Sequence, residues 1–174
     1  MSRPRRKKTT ARRVAAIVLL VLVGLAFAPP WWLSQRQSKL VGPAFVIDGD
    51  TIRINDERIR IVDVDAPEAR QTCDRPDGTQ WHCGEQAMLA LSAWIGQRIV
   101  ICEIGERAAT GEWPAQCSVD GTDVARWLAS EGWAVPAPDC TCLLIRFASW
   151  RAKSDALGLW SSSSVMPWDW RNAN

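Results

Sequence analysis

Phe45 to Glu68, FVIDGDTIRINDERIRIVDVDAPE, carries seven carboxylates and three arginines in a stretch that also reads as consecutive strands. Ile47-Asp48-Gly49-Asp50-Thr51-Ile52 sets an Asp-Gly turn signal between apolar residues. From Thr51 to Ile61, β-branched and polar residues alternate about Asn55-Asp56, which is the pattern of a hairpin with one buried face. Alternation ends at Val62. Asp63-Val64-Asp65-Ala66-Pro67-Glu68 is expected to leave the sheet, because Pro67 has no N–H for a ladder and biases Ala66 toward an extended or turn conformation. Acids therefore gather where strands end.

Hard oxygen ligands converging from separated parts of a chain suit calcium or magnesium rather than zinc, which favours His or Cys. Arg60 precedes Asp63 by three residues, close enough to face the same site, and a divalent metal beside a guanidinium fork is a way to hold phosphate oxygens. The same residues also fit a hairpin with acidic turns and a solvated charged face.

DGDTIRI followed by RIVDVDAPE resembles the two signature blocks of the staphylococcal nuclease (thermonuclease-like) family, with weaker similarity over about Val41 to Ser161. The resemblance implies a five-stranded OB-fold barrel, mainly β with about three helices, that carries a calcium-dependent phosphodiesterase site. It further implies metal ligation by Asp50, Asp65 and the Ala66 carbonyl, phosphate binding by Arg60, and activation of water by Glu68. One part of the pattern is absent. A gapless match through Asp120-Gly121 and Glu131-Gly132-Trp133-Ala134 puts Gly111-Glu112 where the family has Gly-Arg, and the family's stacking tyrosines have no counterpart in a chain without tyrosine. Glu112 is then expected to make the cleft net negative, with Arg107 in the same hairpin as the alternative second cation.

The chain has 174 residues, 47% of them apolar and 23% charged, enough for one sizeable core. Its net charge of +2 is unevenly spread: seven basic residues and no acid lie in Met1 to Arg13, leaving fourteen basic against nineteen acidic residues from Val14 onward. A body of net −5 is expected to hold nucleic acid weakly and as single strands, since duplex binding leans on phosphate neutralisation. A monomer is expected.

Val14 to Ala28 is an unbroken apolar run, and extension through Leu33 gives twenty uncharged positions, about 30 Å as helix, enough to cross a bilayer. The expected organisation is a basic cytoplasmic head (1–13), a transmembrane signal anchor (14–33), a polar linker (34–39), an OB-fold domain (40–161) outside the cytoplasmic membrane, and a Trp-rich tail (162–174). A cleaved signal peptide with secretion is the alternative, since Ala26-Phe27-Ala28 imitates a cleavage site. Pro29-Pro30 and Trp31-Trp32 favour the anchor.

The first strand is expected over Leu40 to Ile47, with Gly42-Pro43 permitting an edge or a bulge. Ala69 to Gly84 reads as a loop beside the site, closed by a Cys73 to Cys83 disulfide; its His82 reads as solvated and its Trp81 as a loop anchor. Helical spacing predicts helices over Glu85 to Ile95, Val124 to Glu131 and Leu143 to Leu157, each with a glycine beyond its end. Arg98 to Glu103 pairs with Ala115 to Val119, and Cys102 and Cys117 flank that hairpin symmetrically as a second disulfide candidate. Cys140 and Cys142 complete an even count of six. Trp168 and Trp170 read as tryptophans folding back to cover the barrel, or, with Arg171 beside them, as a partner-binding patch. Two functions follow, a calcium-dependent nuclease weakened by Glu112, or an OB-fold binding module that keeps the cleft without hydrolysis. Protein taken from the membrane is expected to retain Val14 to Leu33, and an intact mass beginning near Pro29 would overturn that.

Overall fold

The computed structural model describes residues 38–173. The chain enters through β1 (Ser38–Pro43) and β2 (Phe45–Asp48), separated only by Ala44. Ser38 and Lys39, expected in a linker, already belong to β1: they pair with Ile104 and Glu103, and Lys39 Nζ lies 2.7 Å from Glu103. The predicted hairpin follows as β3 (Thr51–Ile54) and β4 (Glu57–Ile61), turned by Asn55 and Asp56 at φ 49° and 67°. Those positive angles match the twist of a two-residue hairpin loop and suit the short polar side chains there. Ile52, Ile54, Ile59 and Ile61 are buried while Arg53 and Arg58 point outward, so period-2 alternation alone assigns the faces.

Val64–Asp65 (β5) leaves the main sheet as expected and pairs with a later strand. Cys73–Asp74 (β6) and Gln80–Trp81 (β7) make a small hairpin that leads into α1 (Cys83–Ile95). Next come β8 (Ile99–Ile104), β9 (Trp113–Val119), β10 (Thr122–Asp123), α2 (Val124–Ser130), β11 (Val135–Pro136), α3 (Leu143–Ser154), a 3₁₀ turn (Gly158–Ser161) and α4 (Pro167–Ala173). The main sheet runs β1-β8-β9-β4-β3-β2 with β10 beside β9, all antiparallel except β4 with β9. It is a curled, barrel-like sheet with, among the described residues, four α-helices against about three expected. The extra helix is α4, too short for a periodic sequence signal.

The core lies between the sheet's isoleucines and valines and the helices: Leu91 and Ile95 of α1, Val124 and Leu128 of α2, and Ile145 of α3. Trp94 of α1 stacks on Trp127 of α2 at 4.3 Å between ring centroids. Asp123 caps α2 by accepting a hydrogen bond from Arg126 N–H at 2.7 Å. A second cluster joins Cys73, Cys83, Val135 and Leu159 with Trp81, Trp160 and Trp168. Residues 14–33, read as a membrane anchor, lie outside the described residues. Among the described ones no helix is long and apolar enough to cross a membrane.

Both expected disulfides are present. Cys73 bonds Cys83, and Cys102 bonds Cys117 directly across β8 and β9, at a Cα separation of 4.1 Å. Cys140 and Cys142 are also bonded to each other. Replacing Cys73 and Cys83 together by serine is expected to cost about 2 to 3 kcal/mol of stability, from the freed loop alone. Denaturant unfolding against the parent, both oxidised elsewhere, measures it.

Candidate functional site

Two close approaches fix the frame of the site. A Cβ on Gly49 would stand 2.7 Å from the Ala66 Cβ and 3.2 Å from that of Ala87, so the β2–β3 turn, the strand exit and α1 meet at a residue that must lack a side chain. At Gly84, in the first turn of α1, a Cβ would overlap the Glu68 carbonyl. Gln71 completes the clamp: its N–H donates to Glu68 O at 2.7 Å, and its carbonyl accepts from Gly84 N–H at 3.2 Å. Sequence alternation cannot report such contacts, because they join residues distant along the chain.

Inside that frame the predicted acids come together. Asp50 is 2% exposed and Asp65 4%. One guanidinium nitrogen, Arg60 Nη2, donates to Asp50 Oδ2 and to Asp65 Oδ1, each at 2.9 Å. The Ala66 N–H donates to Asp50 Oδ2 at 3.0 Å, and the Thr51 hydroxyl to Asp50 Oδ1 at 3.1 Å. Asp65 is held at its place by β5, whose partner in register is Val135. The Glu68 side chain is partly buried and pairs with Arg171.

Arg171, on α4, was not foreseen as a site residue. Its Nη1 donates to Asp65 Oδ1 at 2.9 Å and to Glu68 Oε1 at 2.7 Å, and its Nη2 to Asp65 Oδ2 at 2.6 Å. These contacts push its pKa further up, chiefly through the hydrogen bond with Asp65, so it stays charged. Only the aromatic and basic composition of the tail hinted at a return to the sheet, and nothing in it chose Asp65 as the destination. Asp48 is the other omission. Burial pushes its carboxyl up to about 7, against a lowering hydrogen bond from the Gly49 N–H, while the charges of Asp50 and Glu68 and a hydrogen bond with Glu68 add to the rise. Asp50 is pushed up to about 6, again by burial, though Arg60 and the Ala66 N–H pull it down.

Glu112, expected to face the cleft, is paired with Arg58. Arg58 donates to its Oε1 from Nη2 at 3.0 Å and from Nε at 3.3 Å. Arg107 is likewise engaged elsewhere, donating to Glu57 Oε2 at 3.2 Å and to the Gly111 carbonyl at 2.9 Å, with Trp113 beneath it. β4 and β9 run parallel with Ile59 opposite Trp113, so Glu112 meets the strand near Arg58, short of Arg60. A cleft of about 310 Å³ is lined by Arg60, Asp65 and Arg171, with Asp63 and Asp139 at its side; Asp50, Ala66 and Glu68 do not line it, and neither do Glu112 and Arg107. His82, at the start of α1, is exposed and makes no capping hydrogen bond, while Trp81 packs in the second cluster.

For a cation, Asp50 and Asp65 offer oxygen alone, donor chemistry that suits calcium and not a thiophilic metal. Among the described residues one trio of side chains brings its ligand atoms within 4.8 Å, namely Asp63, Cys140 and Cys142, whose sulfurs are bonded to each other.

No protein-family model matches the chain. Over 123 residues, 70% of the chain, it is 39% identical to "Succinoglycan biosynthesis protein ExoI" of Rhizobium meliloti (strain 1021), and the match spans 64% of that protein, just under two thirds of its length. It is 29% identical over 190 aligned positions to "Protein ParB" of Escherichia coli, covering 96% of this chain and 93% of that protein. Neither name speaks of a nuclease.

Both raised carboxyls hold protons in the folded state that the unfolded chain, with an ordinary value of 3.8, has already lost. Their contribution to stability is therefore present at low pH and is lost as pH rises from about 4 to about 7. With chelator present, Asp48→Asn is expected to remove part of that fall. Thermal unfolding across the window reads the difference between parent and variant, and a constant difference would show that Asp48 titrates normally.

Proposed function

We propose that this protein is a calcium-dependent phosphodiesterase acting on single-stranded nucleic acid. The observation that carries the reading is the meeting of Asp50 and Asp65, two nearly fully buried carboxylates from different elements, on one nitrogen of Arg60. Such burial opposes stability unless a cation is paired with it, and Arg60 and Asp65 also line a cleft of about 310 Å³. Strand order supports reading the sheet as a five-stranded OB-fold barrel: β1 and β2 form one interrupted strand, which pairs with β8 at one end and β3 at the other.

On this reading Asp50, Asp65 and the Ala66 carbonyl hold calcium, which when bound supplies Lewis-acid polarisation of a phosphoryl oxygen. Arg60 donates hydrogen bonds to phosphate oxygens as charge develops on them. Glu68, clamped through its carbonyl by Gln71 and Gly84, accepts a proton from the attacking water. Three disulfides support a working place outside the cytoplasmic membrane. One observation favours the second reading, a binding module without hydrolysis: Arg60 and Arg171 already satisfy Asp50, Asp65 and Glu68 within the chain.

Purified full-length protein is expected to cleave single-stranded nucleic acid with calcium and not with chelator, and Asp50→Ala is expected to lower the rate by at least about 10²-fold. Absence of calcium-dependent cleavage would leave the binding module. Glu112→Arg is expected to give no gain, because it removes the partner of Arg58 and sets two guanidiniums together on the outer face of β4. A gain in its initial rate would return Glu112 to the cleft.

A further inference from the structure

We infer that Arg171, delivered by the C-terminal helix, is the second phosphate-binding cation of the site. The inference rests on the phosphodiesterase reading above. Its first support is the way the tail is held. Asp74 and Ser163 exchange backbone hydrogen bonds at 3.2 and 2.9 Å, Gln71 Nε2 donates to the Val165 carbonyl at 2.8 Å, Pro167 is buried, and Trp168 packs on the cluster around the Cys73–Cys83 bridge. The side chain that steadies the tail at Val165 is thus on the same residue whose backbone clamps Glu68. Arg171 reaches Asp65 because successive anchors lead it there.

The second support is charge. Asp50, Asp65 and Glu68 against Arg60 and Arg171 leave the centre at −1. With Asp63 and Asp139 on the cleft wall and Asp48 beside Glu68, acids outnumber the two arginines, so removing Arg171 leaves Arg60, among the described residues, as the one cation lining the cleft to meet a phosphodiester. The third is access. The Arg171 side chain is 36% exposed, equal to Arg60, and both line the same cleft, with Asp63, Asp65 and Asp139 as the other charged groups on its wall. Its fork now lies bidentate on Asp65, and the same fork matches two phosphate oxygens. Arg171 pairs with Asp65 and Glu68, and were Asp65 to hold a divalent cation the guanidinium would be free to turn toward the cleft.

Full-length parent, Arg171→Ala and Arg171→Lys are compared in three measurements. Calorimetric titration with calcium is expected to show binding in Arg171→Ala at least as tight as in the parent, because a competing cation has left Asp65. Calcium-loaded protein is then titrated with phosphorothioate single-stranded DNA, which resists cleavage, and with its uncharged methylphosphonate counterpart. Arg171→Ala is expected to bind the charged strand about tenfold or more weakly, with the slope of log affinity against log salt shallower by about 0.7. Its affinity for the uncharged strand should be unchanged. Arg171→Lys should keep the salt slope and recover part of the affinity, and cleavage rates should follow the same order. If the parent cleaves and Arg171→Ala matches it in affinity, salt slope and rate, the inference fails and the phosphodiesterase stands. Loss of calcium binding in Arg171→Ala would make the residue structural and also overturn it. A parent that binds no calcium and cleaves nothing ends the phosphodiesterase reading, and this inference with it.

Discussion

The Asp50 carboxylate is shut away from water, and a charge removed from water is costly unless its oxygens are met by donors. Arg60, the Ala66 N–H and the Thr51 hydroxyl meet them, from β4, the chain segment leaving β5, and β3 respectively. Those three elements cannot drift apart without exposing an unsatisfied buried acid. Gly49 follows from the same requirement, since any side chain there would keep the turn away from Ala66. Burial also raises the Asp50 and Asp48 carboxyls, so both take up protons more readily than exposed acids do.

Around this centre the outward arginines of the hairpin are satisfied individually. Arg53 and Arg58 face each other in register across β3 and β4, which would repel them. Arg58 turns to Glu112 and Arg53 lies over the Phe45 ring at 5.1 Å, while Glu57 takes Arg107 and the Trp113 indole N–H. Charges on this face belong to the stability of the sheet. Arg60 differs because β5 exits just beyond it and brings Asp65 back.

The tail closes the arrangement from the other side. Gly132 and Gly158 approach so closely that a Cβ on either would overlap the other segment, and Leu159 N–H donates to Gly132 O at 2.9 Å. This contact starts the last segment in the right direction. The Asp74–Ser163 bridge and the Gln71–Val165 hydrogen bond then carry it past the Cys73–Cys83 hairpin to Asp65. A small domain with a modest core uses covalent and backbone ties where apolar area alone would hold a tail loosely.

Period-2 alternation in Thr51 to Ile61 determined the hairpin and its buried face, because each isoleucine's side follows from its neighbours in the chain. Spacing likewise indicated the Cys73–Cys83 and Cys102–Cys117 bridges and the main helices, and the DGD and VDVDAPE blocks indicated which acids belong together. The partners of the cations were not legible. Glu112 stands beside Arg58 through the parallel register of β4 and β9, and that register is set by packing between strands about fifty residues apart. Arg171 lies 106 residues from Asp65, on a seven-residue helix with no periodic signal. Local sequence fixes which way a side chain points from its own strand or helix. Which charge it meets depends on how distant segments pack, and only the tertiary structure decided that.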